Sequence, residues 1–141
     1  MPIKFFNQDH HYHLKNRIKL KHWILEVVEE EGFIIGDINF IFTSDKYLLK
    51  INKEYLSHNY LTDIVTFNYC EEPFINGDIF ISVDTVKNNS VQFGVTFLEE
   101  LHRVMIHGVL HLIGYDDQSE EEKAAMREKE NYNLERLKNL F

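Results

Sequence analysis

Apolar and polar positions alternate with two different periods along this chain, and the changes of period mark its elements. Residues 3–6 can form one short strand. From about residue 14 to residue 31, Leu14, Ile18, Ile24, Leu25 and Val28 recur at helical spacing, and Gly32 ends the stretch. Ile38, Phe40 and Phe42 then alternate with Asn39, Ile41 and Thr43, which is strand period. Ser44 is placed to cap a helix carrying Leu48, Ile51 and Tyr55. Residues 63–69 (DIVTFNY) and 77–83 (GDIFISV) are rich in β-branched and aromatic side chains. With Glu71, Glu72, Pro73 and Asn76 between them, they predict an antiparallel hairpin. A short helix follows at about residues 84–93. Two more helices have marked starts, because Thr96 with Glu99 and Ser119 with Glu122 are capping boxes. The first runs to about Ile113 before Gly114. The last opens on Glu120, Glu121 and Glu122 and closes near Arg136 and Lys138, in line with the helix dipole. The pattern thus predicts about four strands and about five helices. Without repeats or a Pro/Gly-rich linker, residues 1–141 read as one domain.

Charge narrows the possible partners. Fifteen Lys and Arg face 23 Asp and Glu, a formal net charge of −8. A general nucleic-acid coat needs the opposite sign, so no DNA binding is expected and any RNA must be met by a local patch. Lys15, Arg17, Lys19 and Lys21, beside His10, His11, His13 and His22, form one basic segment. A solvated helix face is its simpler reading, and an RNA-backbone contact the sharper one. Cys70 is the only cysteine, which excludes an internal disulfide framework and suits a reducing cytosol. The start of the chain lacks the apolar stretch of a signal peptide. The longest weakly polar run, residues 104–115, falls short of the roughly 20 residues a bilayer requires. No membrane association is expected, and a cytoplasmic location is.

The chemistry concentrates in HGVLHLIGYDD, residues 107–117. His107 and His111, four apart on a predicted helix, lie about 40° from each other around its axis, so both rings leave one face a turn apart. Gly114 breaks the helix and allows the chain to return Asp116 or Asp117 toward them. Two imidazoles and one carboxylate make a three-ligand metal site that keeps a fourth position for water. Apart from the histidines and Gly108, residues 104–113 are apolar, and two histidines in such surroundings need partners. A structural ion usually takes four protein ligands, often cysteines, which favours an open site here. The spacing is also that of metzincin proteases. Those place a Glu general base after the first His, where this chain has Gly108, and a methionine turn is missing because Met126 falls in the last helix.

The same segment closely resembles the signature of the YbeY endoribonucleases, His-Gly-x-Leu-His-Leu-x-Gly-Tyr-Asp-His. Asn52 and Tyr55, the run from Thr62 through Asp63 to Phe67, the GDIFIS segment from Gly77, and Glu100 with Leu101 also follow that family. The resemblance implies an α+β fold, a small mixed sheet packed with helices, with the metal site at the end of a central helix. It implies a zinc-dependent, single-strand-specific endoribonuclease with His107, His111 and Asp117 as Zn²⁺ ligands. The expected substrate is ribosomal RNA of the small subunit, in 3′-end maturation and ribosome quality control.

Two departures bear on mechanism. Asp117 stands where the family has a third His, which adds negative charge to the ion's surroundings. Leu56 stands where the family has an Arg, with Asn59 and Leu61 following. His58 and Lys53 are the nearest cations by sequence that could serve instead. Since Gly108 carries no proton, proton transfer is expected of His58 or Asp63. Two other readings are an assembly factor on the ribosome with a structural metal and, behind it, a metalloprotease.

Overall fold

A computed structural model describes residues 3–9, 11–55 and 62–140. Among these, β1 (Ile3–Asn7) is followed by α1 (Arg17–Glu30), β2 (Ile34–Thr43), α2 (Asp45–Tyr55), β3 (Ile64–Asn68) and β4 (Phe74–Ser82). Three helices complete the chain: α3 (Val83–Phe93), α4 (Phe97–Ile113) and α5 (Glu120–Leu140). The strands form one sheet in the order β1-β2-β4-β3. β1 and β4 both run parallel to β2, with Ile3 opposite Ile38 and Asn39 opposite Asp78. β3 runs antiparallel to β4, with Val65 opposite Phe80, which is the expected hairpin. The architecture is α+β with a mixed sheet.

Strand alternation sorts the side chains between two faces. Ile38, Phe40 and Phe42 of β2 join Ile79 and Ile81 of β4 in the main core, together with Trp23 of α1 and Met105 and Val109 of α4. α2 forms a smaller cluster in which Leu48 and Ile51 pack with Val65, Phe67 and Phe80. α4 is buried along most of its length, as its nearly continuous apolar sequence requires. It presses closely on the sheet at two glycines. A Cβ on Gly108 would lie 2.8 Å from Ile64 Cδ1 and 2.9 Å from Ile79 Cγ2, and one on Gly77 would lie 2.7 Å from Leu112 Cδ2. This close approach brings the end of α4 against β3 and β4.

Both capping boxes form. Thr96 Oγ1 accepts from Glu99 N and Ser119 Oγ from Glu122 N, each at 3.1 Å, and each Glu returns a bond to the cap's backbone N–H. Three expectations need correction. α1 begins at Arg17, because Asn16 takes a left-handed conformation (φ 59°) that breaks the run from Leu14. Ile18 is 73% exposed, since it stands about 200° around the helix from the buried Leu20. Tyr55 closes α2 as expected, where it is exposed and meets Phe67 edge-on, with ring centroids 6.0 Å apart. β4 starts three residues before Gly77, where Glu71 bridges to Phe74.

Candidate metal centre and its cleft

α4 delivers the two histidines and its end delivers the carboxylate. His107 and His111 leave one face of the helix with ring centroids 4.5 Å apart. At Gly114 (φ 126°) the helix stops, and the amide there bonds the carbonyls of Leu110 and His111. The chain then doubles back so that Asp117 Oδ2 lies 3.3 Å from Nε2 of His107 and 3.3 Å from Nε2 of His111. Asp117 is therefore the carboxylate that joins the pair, while Asp116 is exposed. Tyr115 anchors this return. Its hydroxyl donates to Glu31 Oε1, at the end of α1, and Lys129 Nζ of α5 bonds Glu31 Oε2 at 3.1 Å.

The donor set fits a divalent ion. One atom from each of the three residues lies within 4.8 Å of the others. Ligand atoms held about 2.0–2.1 Å from a tetrahedral zinc ion are about 3.3 Å apart, which is the separation of Asp117 Oδ2 from each histidine Nε2. The imidazoles also face the carboxylate through Nε2, leaving Nδ1 for a supporting bond. His107 Nδ1 makes that bond to Glu130 Oε2 of α5 at 2.6 Å. Such a carboxylate fixes tautomer and ring direction in metal-binding histidines. Glu130 is nearly buried and is itself held by Arg103 Nη1 at 2.8 Å, and Arg103 Nη2 bonds Asn131.

Burial and charge oppose each other across this group. Burial lowers the His107 pKa, but the bond to Glu130 and the charges of Glu130, Asp117 and Asp63 outweigh it, and the net shift is upward. For Glu130 burial acts upward, and the bonds from His107 and Arg103 prevail, so its pKa falls. Asp63, just before β3, has its pKa raised by burial; His107 opposes this, and Glu130 and Asp117 add to it. Its backbone carbonyl accepts from Ser82 N at 3.0 Å, which fixes the start of β3 to the end of β4.

Two openings meet at the cluster. A cavity of about 600 Å³ extends from His107 and Asp117 between α3, α4 and α5. A smaller one of about 310 Å³ lies on the side of Asn52, Thr62 and His111. Asp63 lines both. The structure thus brings together His107, His111, Asp117 and Asp63. His58 lies outside the described residues, as do Leu56, Asn59 and Leu61. Lys53 is exposed at the end of α2. The basic segment lies on and before α1, where Arg17 and Lys21 stand over the Phe5 ring, and its described members line neither opening.

Sequence reasoning missed Glu130, Arg103, Arg127 and the burial of Glu100. Glu100 and Arg103 precede His107 by seven and four residues, a helical spacing that could have placed them on its face. Glu130 and Arg127 come from α5, and nothing local marks them.

The sequence model of the family described as Endoribonuclease YbeY matches residues 4–138. A Cytophaga hutchinsonii protein named Endoribonuclease YbeY is 45% identical over 133 residues, covering 94% of this chain and 93% of its own. A Karelsulcia muelleri protein of the same name is 47% identical over 130 residues, covering 92% of each chain. The solution structure of a Thermotoga maritima protein superposes with a TM-score of 0.68 at 29% identity, over 96% of this chain and 88% of that one. With the predicted mixed sheet, the His/His/Asp cluster and matches of this extent, the chain belongs to the YbeY endoribonuclease family.

Proposed function

We propose that this protein is a zinc-dependent, single-strand-specific endoribonuclease, carried by one domain spanning residues 1–141. The observation that carries this reading is the convergence of two Nε2 atoms and Asp117 Oδ2 between two open cavities. Three protein ligands grouped on one side suit a catalytic ion, whereas a closed structural site usually has four. Relatives named Endoribonuclease YbeY at 45% and 47% identity support RNA as the substrate. The finer assignment, 3′-end maturation of small-subunit ribosomal RNA and ribosome quality control, rests on resemblance to that family. So does a cytoplasmic location. Among the described residues no helix is long and apolar enough to cross a membrane.

His107, His111 and Asp117 would hold the ion. Bound there, zinc supplies Lewis acidity toward a phosphoryl oxygen and lowers the pKa of the attacking water. The protein's own groups provide the rest. Glu130 holds the His107 ring in one tautomer through Nδ1. Asp63, beside His107 and raised in pKa by burial, is the described carboxyl suited to accept the water's proton, with His58 as the second candidate. Arg127 is exposed on the wall of the larger cavity, where a guanidinium can meet the phosphodiester charge. Gly108 has no side chain and cannot take a general-base role; its missing Cβ instead lets α4 lie close to Ile64 and Ile79.

The test is metal content and cleavage of a structured ribosomal RNA fragment by wild type, His111→Ala, Asp117→Ala and Asp117→His. Wild type should carry one zinc and cut single-stranded positions. His111→Ala and Asp117→Ala should lose both properties, and Asp117→His should keep the metal. Unchanged zinc and cleavage in His111→Ala would refute the site. Wild type that binds small-subunit particles without cutting them would refute the enzyme.

A further inference from the structure

The larger cavity contains groups that the metal centre does not use. Glu100 lies on the face of α4 that carries His107, seven residues earlier and about 10 Å along the axis. Only 5% of Glu100 is exposed, and its carboxyl has no hydrogen-bond or ion-pair partner among the described residues. A buried acceptor without a donor is unfavourable, and such groups are rare unless a ligand completes them. Burial raises the Glu100 pKa and the nearby Asp63 adds to the rise, while the charges of Arg103 and Arg127 oppose it. Phe93 lines the same cavity while 62% exposed, leaving part of its ring available for stacking. Arg127 stands on the opposing helix.

A buried carboxylate, an open aromatic ring and a guanidinium around about 600 Å³ form a set suited to one nucleotide. A second metal ion is the weaker reading. His107, His111 and Asp117 are the only three ligand groups among the described residues that come within 4.8 Å of one another, so Glu100 belongs to no preformed cage. We propose that this cavity is a guanine pocket for the nucleotide beside the scissile phosphate. Glu100 accepts from N1–H and the N2 amino group, Phe93 stacks on the base and Arg127 meets the adjoining phosphate. The proposal rests on the endoribonuclease reading and adds a base preference to it.

The choice of guanine follows from the edges of the bases. An ionised carboxylate offers two acceptors and no donor. Guanine presents two adjacent donors on its Watson–Crick edge. Uracil presents one donor between two carbonyls. Adenine and cytosine present one amino donor beside a ring nitrogen whose lone pair would face the carboxylate.

The experiment titrates GMP, AMP, CMP and UMP into the purified full-length protein, with binding read by calorimetry or amide chemical shifts. Wild type should bind GMP about tenfold more tightly than the others, the discrimination typical of a bidentate pair. Glu100→Gln turns one acceptor into a donor and should erase the preference. Phe93→Ala, at an exposed position that does not endanger folding, should weaken all four alike and keep the ratio. Equal affinity for all four, no binding of any, or a GMP preference that survives in folded Glu100→Gln would overturn the pocket. His111→Ala separates the two readings, since His111 does not line this cavity. It should lose zinc and cleavage yet keep the GMP preference. Wild-type cleavage without base preference refutes the pocket alone, and GMP preference without cleavage refutes the nuclease alone.

Discussion

Glu130 gives the most direct test of how this fold prepares a metal ligand. Its carboxylate joins α5 to α4 through a bond of 2.6 Å to His107 Nδ1 and one of 2.8 Å from Arg103 Nη1. Removing the carboxylate in Glu130→Ala frees the His107 ring to rotate and to change tautomer. Loss of such a supporting partner typically weakens metal binding about 10–100-fold, which is about 1.4–2.7 kcal/mol. Folding should suffer as well. The charge-assisted bonds in a nearly buried site are lost and Arg103 keeps only Asn131, so a loss of about 1–3 kcal/mol is expected. Glu130→Gln should fall between, because an amide oxygen still accepts from Nδ1–H without the charge. The assay is competition for zinc against a chelating dye at fixed pH, with a thermal melt to confirm that each variant is folded. Asp116→Ala is the control, removing an exposed carboxylate next to the ligand, and it should bind zinc like wild type. If folded Glu130→Ala held zinc within twofold of wild type, the argument that Glu130 prepares His107 would fail.

Two further predictions concern the helix that bears the ligands. Gly108→Ala gains about 1 kcal/mol of helix propensity but puts a methyl 2.8–2.9 Å from atoms of Ile64 and Ile79. Overpacking of this kind costs about 1–3 kcal/mol, so a lower melting temperature is expected; a higher one would mean that α4 does not press on the sheet there. His102 is held neutral by burial, its pKa lowered to about 4. The unfolded chain takes up the proton first, so this residue removes stability as pH falls from about 6.5 to about 4, by at most about 3 kcal/mol. His102→Phe, which retains an aromatic ring edge-on to Trp23, should lose less stability over that interval in urea titrations. Equal losses in both proteins would exclude His102 as the source.

Local patterns read well from the sequence and contacts across the fold did not. The alternation of Ile38, Phe40 and Phe42 was legible because a strand sorts its neighbours by parity. Thr96 with Glu99 and Ser119 with Glu122 were legible because a capping box closes within four residues. Ile18 was misplaced because the run from Leu14 crossed the left-handed break at Asn16 and joined residues that stand on different faces of α1. The two ring nitrogens of the site followed from one turn of helix. Whether Asp116 or Asp117 joined them depended on the φ of 126° at Gly114, which the residue type permits but does not dictate. Glu130 and Arg127 were out of reach, since α5 finds its place only through packing such as the bond from Trp23 Nε1 to Asn133 O at 2.8 Å.

Tyr115 has a consequence for how the proposed site would take up an ion. Through Glu31 and Lys129 it moors the returning chain to two helices, an anchor for Asp117 that would need no metal ion. The entropy of ordering that turn is met during folding rather than during loading. Such a receptor can exchange its cargo without refolding. Stripping the protein with a chelator should leave the cooperativity of melting intact and lower its midpoint only by mass action, unlike small zinc domains that collapse when emptied.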